Sequence, residues 1–239
     1  MSMPKGAALV TGGARRIGAA IAKALARHGY DVALHYHTSA EAAERTARDI
    51  EDCGRRCRLF RCDLNDHDET AALVPRVREQ FPRLNVLVNN ASVFERATLR
   101  DTGRDLFERH FNIHFKAPFF LTQAFAEACS EGHVVNILDT RVRGSDPRHA
   151  AYTLSKKALL ELTRMAAREL GPAVRVNAVA PGMILPPPGG VVDELERRSA
   201  GLPLKRVGDT ANVVAAVLFL IDNPFVTGEC VYVDGGEHL

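Results

Sequence analysis

Short apolar runs alternate along the chain with longer stretches in which apolar residues recur at helical spacing. Ala7 to Val10 is such a run; it stops at Thr11-Gly12-Gly13, and apolar positions of helical period follow from Ile17 to Ala26. This predicts a strand, a turn and a helix. Gly29 closes the helix, Asp31 to Tyr36 reads as a second strand, and a polar, alanine-rich helix is expected from about Ala40 to Glu51. Further strands are expected at Arg58 to Arg61, Val86 to Asn89, His133 to Leu138, Val174 to Val179 and Cys230 to Val233, with helical segments between most of them. Strands alternating with helices, joined by right-handed crossovers, predict a single-domain α/β fold. Its form is a Rossmann-type doubly wound parallel sheet with helices on both faces.

One stretch departs from the pattern. Pro181-Gly182 opens a segment containing Pro186-Pro187-Pro188-Gly189-Gly190, which fits neither a regular helix nor a central strand. It reads as a substrate lid at about 183–205, with a surface insertion as the alternative.

Composition narrows the class of partner. With 239 residues, 46% hydrophobic and 25% charged, the chain can bury a sizeable core. Its formal charge of +2 gives no one-signed field suited to nucleic acid or a membrane surface, so a small-molecule partner is expected. The opening MSMPKGAALV lacks the apolar run of a signal peptide and no stretch reaches membrane-spanning length, so the expected location is the cytoplasm. The five cysteines, Cys53, Cys57, Cys62, Cys129 and Cys230, are odd in number and lack C-x-x-C spacing. Reduced thiols are expected and no metal site is assigned, although three of the cysteines fall near one another.

Thr11-Gly12-Gly13-Ala14-Arg15-Arg16-Ile17-Gly18 follows the first strand, where glycines permit a tight turn and let backbone approach a pyrophosphate at a helix N-terminus. It is not a full G-x-G-x-x-G, and a structural turn would also use glycine. Its place in a first βαβ unit favours a dinucleotide. An NAD site wants an acid at the end of the second strand, but here the sequence is His35-Tyr36-His37-Thr38-Ser39, with no carboxylate before Glu41. Arg15, His37, Thr38 and Ser39 offer positive charge or donors to a 2′-phosphate, which points to NADPH. Ordinary solvated polar residues are the alternative for Thr38 and His35.

Tyr152-Thr153-Leu154-Ser155-Lys156 sets a phenol and an ammonium one helical turn apart, and a nearby ammonium is expected to lower the phenol's pKa toward an acid/base range. With TGGARRIG, Asp63-Leu64, Asn89-Asn90-Ala91, Asn177-Ala178-Val179-Ala180-Pro181-Gly182 and Val233-Asp234-Gly235-Gly236 in order, the chain resembles the short-chain dehydrogenase/reductase family over nearly its whole length. The resemblance implies that Asp63 contacts adenine, that Leu64 belongs to the cofactor site, that Asn89 and Ala91 line the cofactor, and that Lys156 binds nicotinamide ribose. It extends the cofactor set to Thr11, Gly12, Arg15, Arg16, Ile17, Gly18, Tyr152, Pro181, Gly182, Met183 and Ile184. It also implies a homotetramer built on helices beginning near Leu106 and Tyr152.

Departures from the family pattern carry finer information. Asp139 stands thirteen residues before Tyr152, where the family has a catalytic serine, and Arg16 replaces the middle glycine of the cofactor loop. With Asn89-Asn90-Ala91-Ser92-Val93-Phe94, these residues resemble the pteridine reductase branch, and Arg143-Gly144-Ser145-Asp146 is similar to its dihydromonapterin-reducing members. That implies Phe94 sandwiching a flat pterin against nicotinamide, with Ser92 and Arg16 bonding its polar edge. Asp139, Tyr152 and Lys156 are the implied catalytic residues, with Asp139 sustaining proton delivery to a ring nitrogen and Ser92, Phe94, Arg16, Asp139 and Tyr152 meeting substrate. His114 aligns where the family commonly has a proton-relay asparagine, and a buried structural histidine is the alternative. The expected reaction is NADPH-dependent reduction of a dihydropterin, dihydromonapterin ahead of dihydrobiopterin and dihydrofolate. A carbonyl or 3-oxoacyl thioester reductase and a non-catalytic NADP-binding sensor stay open.

Overall fold

In the computed structural model, which describes residues 3–186 and 192–239, seven strands form one parallel sheet of order β3-β2-β1-β4-β5-β6-β7. The strands are β1 (Ala7–Val10), β2 (Asp31–Tyr36), β3 (Cys57–Arg61), β4 (Leu84–Asn89), β5 (Gly132–Ile137), β6 (Val174–Pro181) and β7 (Cys230–Val233). Between them run α1 (Arg16–Arg27), α2 (Ala40–Glu51), α3 (His67–Gln80), α4 (Arg104–Phe111), α5 (Ala117–Ala128), α6 (Ala150–Leu170), α7 (Val192–Ser199) and α8 (Thr210–Asp222). The expected doubly wound sheet is therefore present, and all seven anticipated strands form. Differences are confined to ends: β4 starts at Leu84, which pairs with Ala7 of β1, and β6 runs on to Pro181, because Ala180 and Pro181 pair with Tyr232 and Val233 of β7.

Burial on both faces explains the strands' composition. β1 is buried at every position, and one apolar cluster joins Val10, Ile21, Leu25, Leu34, Val88 and Val217 while another joins Leu9, Leu73, Leu87, Phe125 and Val176. Alternate residues of β1 thus feed the two layers. Each fully buried leucine or valine contributes roughly 1.5–3 kcal/mol. The helices lie on both sides because the apolar stripe of α1 (Ile21, Ala22, Leu25) and that of α3 (Leu73, Val74, Val77) must each cover one of those layers.

Between α4 and α5 the helical path widens into a π-type turn, Asn112–Lys116, which the apolar periodicity did not foretell. The order of strands reverses at β1 and β4, so the crevice beyond their C-terminal ends is the position at which an open α/β sheet takes a ligand. Within the expected lid, residues 187–191, and with them Pro187-Pro188-Gly189-Gly190, lie outside the described residues. Among the described residues no helix is long and apolar enough to cross a membrane, and no cluster of metal-ligating side chains occurs.

Candidate active site

Beyond the C-terminal ends of the strands lies a cavity of about 700 Å³, lined from the glycine-rich turn through Asn90 and Asp139 to Gly182. Gly12 has φ 62°, and a methyl group there would come within 2.9 Å of Ala91 Cα. A side chain at Gly18 would collide with the Gly12 carbonyl oxygen. These two positions hold the turn close against the first helix, and the resulting cradle fits a pyrophosphate. Arg16 begins α1 at φ 55°, in the left-handed region. A glycine would adopt that conformation freely, which accounts physically for the family's usual glycine at this place.

Buried neutral groups brace the turn from behind. The Gly12 N–H donates to His35 Nδ1 at 3.0 Å, so the ring proton lies on Nε2, 3.0 Å from the Cys62 carbonyl oxygen. Burial pushes this histidine down to about 4, keeping the ring uncharged. The Thr11 hydroxyl accepts the Asn90 and Ala91 N–H groups at 2.9 and 3.0 Å, and Asn90 Nδ2 donates to the Thr11 and Gly12 carbonyls. At the outer end of β2, Arg15, His37, Thr38 and Ser39 line the cavity, with Asp63, Leu64 and Asn65 opposite. The Asp63 carboxylate accepts the Asn65 N–H and side-chain amide, and His37 Nε2 lies 3.8 Å from it.

At the other end, β5 delivers Asp139 and α6 delivers Tyr152 and Lys156. The phenol donates to Asp139 Oδ2 at 2.8 Å. The Asp139 carboxylate also accepts the Arg141 N–H at 2.8 Å and its guanidinium at 3.3 Å on both oxygens. Burial, reinforced by the Asp139 charge, holds the phenol well above its ordinary pKa. The expectation that Lys156 lowers it is therefore corrected. The Lys156 ammonium donates instead to the Ile137 carbonyl at 2.7 Å, and burial pushes it down to about 8. Desolvation and a neighbouring anion outweigh the cation one turn away.

Phe94 is an exposed aromatic on the cavity wall and not a core residue. Its ring stacks on His149 at 4.7 Å, meets Tyr152 edge-on at 4.9 Å, and lies beneath the Arg141 guanidinium at 5.3 Å. The π-type turn brings His114 under Ser92. Its Nε2 accepts the Val93 N–H at 3.1 Å and lies 3.0 Å from the Ser92 hydroxyl, and Nδ1 lies 2.9 Å from Ser155 Oγ. Burial, with the Lys156 charge next, keeps His114 neutral. Ser92 in turn reaches the Tyr152 hydroxyl, so His114 sits one hydroxyl removed from the phenol and buried beneath the wall.

The cavity gathers the anticipated residues Gly12, Arg15 to Gly18, His37 to Ser39, Asp63, Leu64, Ala91, Ser92, Phe94, Asp139, Tyr152, Lys156 and Pro181 to Ile184. Thr11, Asn89 and His114 do not line it. Thr11 is turned inward to hold the Asn90 loop, and Asn89 Nδ2 donates to Asn136 Oδ1 at 2.8 Å beneath the sheet's surface. Asn90, His35, Arg141 and Glu237 went unanticipated as site residues. Arg141 had a signal, two positions after Asp139; Glu237 had none in its local sequence.

A family model described as enoyl-(acyl carrier protein) reductase matches residues 12–238. An uncharacterized oxidoreductase of Mycobacterium tuberculosis is 37% identical, covering 96% of this chain and 90% of that protein. The Staphylococcus aureus 3-oxoacyl-[acyl-carrier-protein] reductase FabG is 33% identical over the whole of both chains. Among solved structures, FolM alternative dihydrofolate reductase 1 from Brucella suis, in complex with NADP, superposes with a TM-score of 0.93 at 38% identity, covering 98% of this chain and 95% of that one.

Proposed function

The chain belongs to the short-chain dehydrogenase/reductase family, and within it we propose that this protein uses NADPH to reduce a C=N bond of a dihydropterin, dihydromonapterin ahead of dihydrobiopterin and dihydrofolate. The observation that carries this reading is the 2.8 Å bond from Tyr152 to Asp139 beside the partly exposed ring of Phe94. A carboxylate there would repel the negative charge that develops on oxygen in carbonyl reduction, whereas it suits protonation of a ring nitrogen. Similarity to the Brucella suis protein, described as an alternative dihydrofolate reductase in complex with NADP, supports both cofactor and substrate class.

The glycine cradle at Gly12 and Gly18 fits the pyrophosphate, and Arg15, His37, Thr38 and Ser39 suit a 2′-phosphate. When bound, the reduced nicotinamide supplies the hydride. Phe94 gives the flat heterocycle an apolar face, with Arg141 over the same ring. Tyr152, kept protonated by burial, holds the proton for the adjacent nitrogen, and Asp139 keeps the phenol oriented. Lys156 is anchored on Ile137 with its remaining donors free to meet ribose hydroxyls. The chain's apolar side chains on α4 and α6, Phe107, Leu154 and Met165, are exposed and offer faces for a homotetramer.

Similarity to FabG favours the other reading, a 3-oxoacyl thioester reductase. Asp139→Ser separates the two. With dihydropterins and NADPH, kcat/KM is expected to fall about 100-fold or more, in the range for a lost proton-transfer group. Retained or increased turnover of a 3-oxoacyl thioester by the variant, with no dihydropterin turnover by the unmodified protein, rejects the pterin reading.

A further inference from the structure

Glu237 comes into the reaction end of the cavity from the far end of the chain, and the mechanism above gives it no task. Its position is built. The Asp234 carboxylate accepts the Thr140 hydroxyl at 2.7 Å, the Gly236 N–H at 3.0 Å, the His238 N–H at 3.0 Å and the His238 ring Nδ1 at 2.8 Å. His238 also stacks on Tyr232 at 4.3 Å. Thr140 is the residue after Asp139, so this knot ties residues 234–238 to the strand end that carries the reaction centre. Gly182 leaves the room: a Cβ there would come within 2.7 Å of Glu237 Oε2 and 2.6 Å of Asp234 Cβ.

Glu237 Oε2 is buried and has no hydrogen-bond partner among the described residues. Charged groups facing it are Arg141, Asp139, Arg198 of α7 and Asp234. None donates to it. A buried acceptor left unpaired is costly, and a carboxylate oxygen more so, so a donor carried by a ligand would be favoured at this place. Burial accordingly lifts this carboxyl above its usual range.

Glu237 lines the cavity with Tyr152 and has Asp139 and Arg141 near it, which narrows what that donor belongs to. If the phenol protonates the ring nitrogen, the carbon receiving hydride is the adjacent atom, and a substituent on it falls at the end of the cavity that Asp139, Arg141 and Glu237 line. We infer that Glu237 is a specificity-determining residue that accepts a hydrogen bond from a hydroxyl group on the side chain attached to the reduced carbon, selecting hydroxyalkyl over alkyl substrates. This rests on the dihydropterin reading and deepens it.

The test compares the native protein with Glu237→Ala and Glu237→Gln, each loaded with NADP⁺, for binding of 6-hydroxymethylpterin and 6-methylpterin by calorimetry. These ligands differ by one hydroxyl group. The native protein is expected to prefer the hydroxymethyl ligand, and Glu237→Ala to lose about tenfold of that preference, as for one hydrogen bond to a charged group. Glu237→Gln, whose amide oxygen still accepts, is expected to fall between the two. Binding of the 6-methyl ligand should stay within about twofold in every protein, which also establishes that the variants are folded. Equal losses for both ligands, an unchanged preference, or no binding of either overturns the inference. Because binding needs no turnover, absence of dihydropterin reduction would strike the proposed reaction while the ratio of affinities still decides the role of Glu237.

Discussion

At the glycine turn itself, the groups set toward a ligand are backbone, and the side chains that brace it are neutral and committed to holding it, while Arg15, His37, Thr38 and Ser39 face the cavity only farther out, beyond β2. His35 is bonded on both ring nitrogens, Thr11 on its hydroxyl, and Asn90 on its amide. At the Tyr152 end, the side chains themselves face the cavity. Asp139, Arg141, Glu237 and Tyr152 come from three separate stretches of chain and carry charge into a desolvated space. The glycine turn is a mould whose bracing polar groups are already satisfied. The Tyr152 end keeps partly unsatisfied groups close together, which is what reaction and selection require.

If the two ends differ in this way, damage at the reaction end should remove turnover without loosening the fold. Tyr152→Phe, which deletes only the hydroxyl bonded to Asp139, is expected to lower kcat/KM by about 10²–10⁴-fold while weakening NADPH affinity, read by fluorescence titration, far less. A comparable loss of cofactor affinity would mean that the ends are not separable.

At the mould end, the corresponding effect is on stability. His35 in the folded protein takes its proton near 4, against 6.5 for the free side chain. Between those values the unfolded chain binds the extra proton. The stability contributed by the neutral ring is therefore full above about pH 6.5 and lost as pH falls through 4, a difference of about 3 kcal/mol at most. His35→Asn keeps an acceptor near the Gly12 N–H without a titrating ring. Urea unfolding from pH 7 to 4 should show a shallower decline for this variant than for the native protein; parallel declines would refute the assignment.

A smaller effect is expected from Gly18→Ala. The added methyl collides with the Gly12 carbonyl oxygen, and the turn must shift, costing about 1–3 kcal/mol in stability. Cofactor affinity should fall with the melting temperature, while the kcat of fully loaded enzyme changes little. A variant with native NADPH affinity would show that the turn tolerates the displacement.

The same division explains what could be read in the sequence. The mould end is local: an apolar run, a glycine turn and a helix fall within one βαβ unit, and β2 and α2 lie where the apolar pattern sets them. Asp139, Tyr152 and Lys156 were legible because β5 and α6 are consecutive elements and the family resemblance fixed their spacing. His35 looked like a polar residue near a phosphate, and only its burial, against both Gly12 and Cys62, reveals a brace. Thr11 and Asn89 belonged to correct motifs but point away from the cavity, since a motif does not say which side chain faces in. The rise of the Tyr152 pKa depends on desolvation, and Glu237 on a tertiary knot. Neither has a signature in spacing.

The Asp234 knot has a consequence for how such a reductase can diversify. It joins a short stretch near residue 239 to the strand end at Thr140 without passing through the glycine turn, the β1–β2 pair or α1. If Glu237 selects the substrate's side chain, changes at 237 can alter which side chain the enzyme accepts while the glycine turn stays as it is. Substrate range and cofactor use are then separately heritable traits of one cavity.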